Sequence, residues 1–254
     1  MDIPFHVNVP IKMLVEKIDD VIRRRINPEI YVDTSAIKGI SPESIERAAE
    51  KLEKAGIKST LHAPYIDLNP GARDEDVRRI SVERVLSSIK LVLPFKPLMI
   101  VCHPGYFDYN YSFNYSVWAE IAYRSFSEIG EECIKHKLKI AIENVFERNP
   151  DNLCHLLSKL PPEHFGFCFD AGHANLFTEV EMKVWLDSLG DRLFEMHIHD
   201  NKGKYDDHLP PGDGNIRYEE IFNMVGAKKL IFTLEPHRVE DLERSISNFL
   251  EMVK

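Results

Sequence analysis

Eight short apolar runs recur along this chain, and six of them end in a side chain of the kind that binds divalent cations. The endings read Thr60-Leu61-His62, Val101-Cys102-His103, Ala141-Ile142-Glu143, Cys168-Phe169-Asp170, Glu195-Met196-His197 and Thr233-Leu234-Glu235. Packing gives a protein no reason to end strand after strand in His, Asp or Glu, whereas a metal site does. The runs lie near 3–9, 29–33, 58–62, 98–103, 139–143, 165–170, 193–199 and 229–235. Between them stand amphipathic stretches at 41–55, 74–93, 116–137, 151–160, 179–189, 218–225 and 239–253. The stretch at 41–55 opens with Ser41 at a cap position and Pro42 in the first turn, and Gly56 follows it as a stop. Eight strand-like runs and the seven helix-like stretches that alternate with them, with no linker-like or low-complexity segment, predict an α/β fold, the (β/α)8 TIM barrel, as a single domain over residues 1–254.

Strand parity sets the direction of the candidate ligands, because alternate residues of a strand face opposite sides. Phe165, Phe167 and Phe169 share one face, and Gly166, Cys168 and Asp170 the other. In the seventh run Phe194, Met196 and Ile198 oppose Glu195, His197 and His199. Ile140 and Ile142 oppose Ala141 and Glu143, and Phe232 and Leu234 oppose Thr233 and Glu235. The bulky faces meet the helices in this reading, so the ligand types point into the barrel at its C-terminal end, where barrel enzymes keep their chemistry. By the same parity Cys102 faces the helices and Cys168 a lower interior layer. His173, three residues after Asp170, and the cluster Asp206-Asp207-His208 add further donors. Singly, His62 reads as a core histidine and Asp206 as a solvated loop residue. Together they would crowd several carboxylates at one mouth, an arrangement that needs cations to be tolerable.

Bulk properties narrow the class. The chain has 254 residues, a formal charge of -9 and four cysteines without CxxC spacing, which argues for a reducing, cytoplasmic location and against a general nucleic-acid coat. The opening residues lack the basic and apolar regions of a signal peptide, and no run is long enough to span a membrane.

The ordered set His62-Ala63-Pro64-Tyr65, His103-Pro104-Gly105, Ile142-Glu143-Asn144, Phe169-Asp170-Ala171-Gly172-His173, His197-Ile198-His199-Asp200-Asn201 and Asp206-x-His208 before Gly212-Asp213-Gly214-Asn215 resembles the xylose isomerase-like TIM-barrel superfamily. That superfamily includes sugar-phosphate isomerases and epimerases and endonuclease IV. Resemblance to the isomerases and epimerases implies one manganese, magnesium or cobalt ion held by Glu143, Asp170, His197 and Glu235. Glu143 and Glu235 would then move protons on opposite faces of the substrate, with His173 orienting a hydroxyl. Resemblance to endonuclease IV implies three zinc ions on nine side chains: His62, His103, Glu143, Asp170, His173, His197, Asp206, His208 and Glu235, all present here.

Candidate substrate contacts are Tyr65, which matches a DNA-inserting position of endonuclease IV, Asn144 and His199 beside the ligands, and His237 and Arg238 for a phosphate. Tyr106 and Phe107 join them from an aromatic segment that continues through Tyr109, Tyr111, Phe113, Tyr115 and Trp118. That segment is open to two readings, a lid over the mouth or a contact between subunits of a homo-oligomer. The segment 33–39 is too short for the DNA-handling loop expected there, and cations at the mouth (Lys202, Lys204, Arg217, Arg238) are scattered. These features favour a sugar or sugar-phosphate isomerase/epimerase acting on a small carbohydrate. The alternative is an endonuclease IV-like zinc phosphodiesterase acting on abasic-site DNA or another phosphoester.

Overall fold

Ser41 and Gly56 delimit a helix as the sequence requires. In the computed structural model, which describes residues 5–226 and 230–253, Ser41 caps Pro42–Ala55 by accepting the Ser44 N–H at 3.3 Å, and Gly56 stops it at φ 70°. Asp74 caps Glu75–Val92 in the same way, accepting from Asp76 and Val77. Helices Tyr115–Lys135, Asp151–Ser158, Met182–Leu189, Tyr218–Val225 and Leu242–Met252 complete the expected series. Four short helices are additional: Ile11–Glu16, Ile18–Arg23, Ala36–Gly39 and Ala171–Phe177.

The strands are β1 (Phe5–Pro10), β2 (Asn27–Tyr31), β3 (Thr60–His62), β4 (Met99–Cys102), β5 (Lys139–Glu143), β6 (Phe165–Asp170), β7 (Leu193–Ile198) and β8 (Ile231–Leu234). They are parallel and close in chain order, with β8 pairing back onto β1, which makes the molecule a single-domain (β/α)8 barrel. Residues 3–4 of the expected first run and 229 of the last lie outside the described residues. Among the described residues no helix is long and apolar enough to cross a membrane.

The main apolar core lies between strands and helices and includes Phe165, Phe167, Phe169, Ile140, Ile142, Met196, Leu234 and Cys102, as parity requires. The barrel interior divides into two halves. On the β4–β6 side Met99, Val101, Ala141 and Cys168 form a separate apolar cluster. Across from them His6, Glu29, Thr60, Glu195 and Thr233 are buried polar groups.

One side chain departs from simple parity. Parity sets Phe194 beside Met196 and Ile198 against the helices, but it packs on the interior cluster instead. The pairing of β6 with β7 slips between Phe167 and Cys168, so Phe194 is an extra residue on β7. Such a bulge re-aims one side chain. Here it turns the ring under the barrel, against Gly166, where a Cβ would collide with it, and under the Lys139 ammonium at 4.6 Å.

Candidate metal centre

Strand ends bring His62, Glu143, Asp170, His197 and Glu235 together at the barrel mouth, with Asp170 and His197 side by side in register, and Asp170, His197 and Glu143 are almost wholly buried. Their donor atoms converge on three foci. At the first, His197 Nδ1 lies 3.5 Å from Glu143 Oε1, 3.5 Å from Glu235 Oε1 and 3.6 Å from Asp170 Oδ2. At the second, His62 Nε2 and His103 Nε2 each lie 3.2 Å from Glu143 Oε2. At the third, Asp206 Oδ2 lies 3.2 Å from His208 Nε2 and 3.6 Å from His173 Nε2. His173 Nδ1 is meanwhile 3.0 Å from the Asn144 carbonyl and 3.1 Å from Glu143 Oε1.

This spacing fits cations. A tetrahedral ion with ligands at about 2.1 Å sets neighbouring ligand atoms about 3.4 Å apart. The buried ring atoms His197 Nδ1 and Nε2 and His199 Nδ1 have no hydrogen-bond partner, which is unusual for buried polar atoms, and Nδ1 of His197 faces three carboxylates with which it could hold an ion.

Charge supports the same reading. Burial alone would raise Glu143 and Asp170, yet His103 and His197 hold Glu143, and His173 and His199 hold Asp170, well below the usual carboxylate range. Burial would lower His173, but Asp170, Asp206 and Glu143 push it well above its ordinary value. His197 is raised likewise, against burial, by Cys168, Glu235, Glu143 and Glu29. A carboxylate cluster balanced by protonated imidazoles is one that divalent cations take over by displacing those protons.

Several residues build the site without facing substrate. Asn144 and His199, expected to touch substrate, are buried against the candidate ligands themselves. The Asn144 amide donates to the Asp170 carbonyl at 2.8 Å and accepts the Asp170 N–H at 2.9 Å, tying the ends of β5 and β6. His199 is buried, with Nε2 3.1 Å from both Asp170 oxygens and its ring stacked on His208 at 3.7 Å, so it belongs with the ligand groups. Gly172 makes room for that ring, since a Cβ there would collide with His199 Cε1. The loop carrying Asp206 and His208 is pinned by Asp200, which accepts N–H groups from Asn201 and Gly212 at 2.8 Å and Ile216 at 3.2 Å. Gly214 passes so close to Asp200 that a Cβ would run into its Oδ1. His208 itself sits in the left-handed region at φ 47°, a strained choice for a non-glycine residue, and its Nδ1 approaches the Glu235 carbonyl at 2.9 Å.

A cleft of about 950 Å³ opens over the three foci. Tyr65 stacks on His103 at 4.2 Å and His237 on His208 at 3.5 Å, so both stand at its rim, and Arg238 and Lys17 line it further out. The aromatic segment splits. Tyr106, Tyr111 and Trp118 are buried against one another, with the Tyr111 hydroxyl donating to the Gly71 carbonyl at 2.6 Å. Phe107, Tyr109 and Phe113 are exposed, and Phe107 packs edge-on against Phe146 beside the cleft. Glu29, wholly buried beneath His197, carries no expectation from the sequence, and Glu195 is given no role there. Parity with Tyr31 in β2 was the available signal for Glu29.

Residues 29–252 match the protein family described as xylose isomerase-like TIM barrel. The uncharacterized protein MJ1311 of Methanocaldococcus jannaschii is 28% identical over 228 residues, 84% of this chain and 77% of that protein. Among solved structures, a D-tagatose 3-epimerase-like protein superposes with a TM-score of 0.79 at 24% identity, covering 98% of this chain and 97% of the other. The TTHB071 protein from Thermus thermophilus, in a crystal soaked with ZnCl2, superposes with a TM-score of 0.85 at 19% identity, covering 98% and 97%. At these identities the superpositions establish the shared fold.

Proposed function

The chain belongs to the xylose isomerase-like TIM-barrel family, and from that premise we propose that it is a multinuclear metal-dependent phosphoesterase acting on a small phosphorylated substrate. One observation carries this reading: both oxygens of Glu143 are enclosed by imidazoles. Oε2 faces His62 and His103, and Oε1 faces His173 and His197, all within 3.5 Å. A carboxylate that exchanges protons with a sugar carbon needs one oxygen free toward substrate. Glu143 is 1% exposed and has none, which suits a carboxylate shared between two cations.

His62, His103 and Glu143 would hold one ion, Glu143, Asp170, His197 and Glu235 a second, and His173, Asp206 and His208 a third, with His199 supporting the last two. Bound there, zinc or a similar divalent ion supplies electrophilic stabilisation of phosphoryl oxygens and an activated water. The chain's own contribution is placement. Glu235, less enclosed than Glu143, stands beside the cleft and is tied by Asn8 Nδ2 at 3.4 Å. His237 and Arg238 follow it and supply charge and donors for a phosphate. Tyr65 and Phe146, both lining the cleft, give flat apolar surface for the rest of the substrate, with Phe107 packed behind Phe146. The formal charge of -9, and the pairing of the cleft cations Arg23 and Arg24 with Asp20 and Glu243, support a small substrate over duplex DNA.

The second reading, sugar isomerisation, is favoured by the Glu143–Asp170–His197–Glu235 focus, which by itself suffices for one ion. Zinc-reconstituted protein assayed on an aryl phosphodiester, sugar phosphates and an abasic-site duplex separates the readings. Hydrolysis of a small phosphoester that falls on the order of 10²-fold or more in Glu143→Gln is the expected result. Solvent deuterium entering a ketose or its phosphate, with no hydrolysis, would establish isomerisation instead.

A further inference from the structure

Glu29 lies on β2 below the three foci, is 0% exposed, and brings a carboxylate oxygen within 4.8 Å of donor atoms of His197 and Glu235. Its Oε1 accepts from Asn8 Nδ2 at 3.0 Å, and the same amide nitrogen reaches Glu235 Oε1 at 3.4 Å. Its Oε2 has no hydrogen-bond partner and stands 3.5 Å from His197 Nε2, which has none either. An ionised carboxylate in a barrel interior is costly unless its oxygens are met by donors, and beyond Asn8 the groups that face Glu29 are His197 and Glu195. The His197 ring spans the two layers, with Nδ1 toward the Glu143, Asp170 and Glu235 oxygens and Nε2 toward Glu29.

We propose that Glu29 is a positioning residue of the metal centre, accepting the Nε2–H of His197 and thereby presenting the Nδ1 lone pair to the cation position. This rests on the metal reading above. A histidine ligand keeps its orientation and tautomer through the hydrogen bond made by its other nitrogen. Here the anchor is carboxylate rather than carbonyl, and Asn8 holds that anchor and the ligand Glu235 with one amide. The arrangement makes β1 and β2 part of the metal centre although neither ends in one of its ligands.

The test compares wild type, Glu29→Gln and Glu29→Leu after chelator stripping, each titrated with zinc against a chromophoric competitor, with circular dichroism and gel filtration reporting the fold. The expected result is a loss on the order of 10- to 100-fold in affinity of at least one zinc site in folded variants. Folded variants that bind all their zinc within about twofold of wild type would overturn the role. A second measurement does not depend on the variants folding. In zinc-loaded wild type with ¹⁵N-labelled histidine, His197 should show a metal-shifted Nδ1 and a protonated Nε2. A metal-shifted Nε2 would make Glu29 a direct ligand of a deeper ion and overturn the proposal. Wild type that takes up no zinc would remove the metal reading and this role with it, a result distinct from equal binding by variant and wild type.

Discussion

Glu147 illustrates how position decides what a carboxyl group does. Four residues beyond the candidate ligand Glu143, it is 3% exposed, accepts the Val145 N–H at 2.5 Å and receives Asn152 Nδ2 at 3.4 Å. Burial raises it from 4.5 to about 7, against the pull of those donors. Between those values the folded protein keeps a proton that the unfolded chain has lost, so stability falls as pH rises from 4.5 to about 7 and is level above. Glu147→Gln should therefore stabilise the protein at pH 8 by up to roughly 3 kcal/mol, with the gain shrinking to nothing near pH 4.5. Urea denaturation at both pH values checks this, and a difference independent of pH would contradict it. Gly172 makes the complementary point, since the missing Cβ is what admits the His199 ring.

At the scale of elements, six of the nine candidate ligands stand at or just past a strand end, while His173 sits on the helix Ala171–Phe177 and Asp206 and His208 on the loop after β7. Asp200, just past β7, gathers three backbone N–H groups of the loop that carries Asp206 and His208. Asp200→Ala should cost roughly 3 kcal/mol, since buried donors lose their acceptor. It should also open 201–216 to limited proteolysis and reduce the zinc content by about one ion. An unchanged denaturation midpoint with intact protease resistance would rule this out. The strand ends were legible in the sequence because parity and residue type agree at His62, Glu143, Asp170, His197 and Glu235. Helices Ile11–Glu16 and Ile18–Arg23 were not, being short and broken at Lys17, with no side-chain cap on either. The bulge at Phe194 left no mark either, because it exists only in the pairing of two strands. Glu29 was missed for a related reason. It lies near the middle of β2 instead of at its end, and only its contact with a ring from β7 gives it meaning. The roles of Asn144 and His199 likewise depended on distances that motif adjacency does not carry.

The whole molecule divides its labour around the barrel. The β4–β6 half of the interior is apolar packing, and the other half is a buried polar layer that supports the ligands above it. The helices and their core make this tolerable by holding the strands in register while charge accumulates at one end. The fold was readable from the ordered donors, and so were residue groups able to hold a metal, whereas the reaction depends on how those donors surround Glu143. The enclosure of both its oxygens is the ground for placing several ions, and hence phosphoester chemistry, ahead of one-ion sugar isomerisation. Because the surrounding carboxylates raise His173, His197 and His208, cations must displace protons there, and loading strengthens as pH rises. The most direct test is the metal content of protein loaded with zinc at pH 8, desalted, and measured by plasma mass spectrometry against protein concentration. The account predicts about three zinc ions per chain, on the nine side chains that form the three foci. One ion per chain, unchanged by replacing His62, His103 or His208 with alanine, would contradict it.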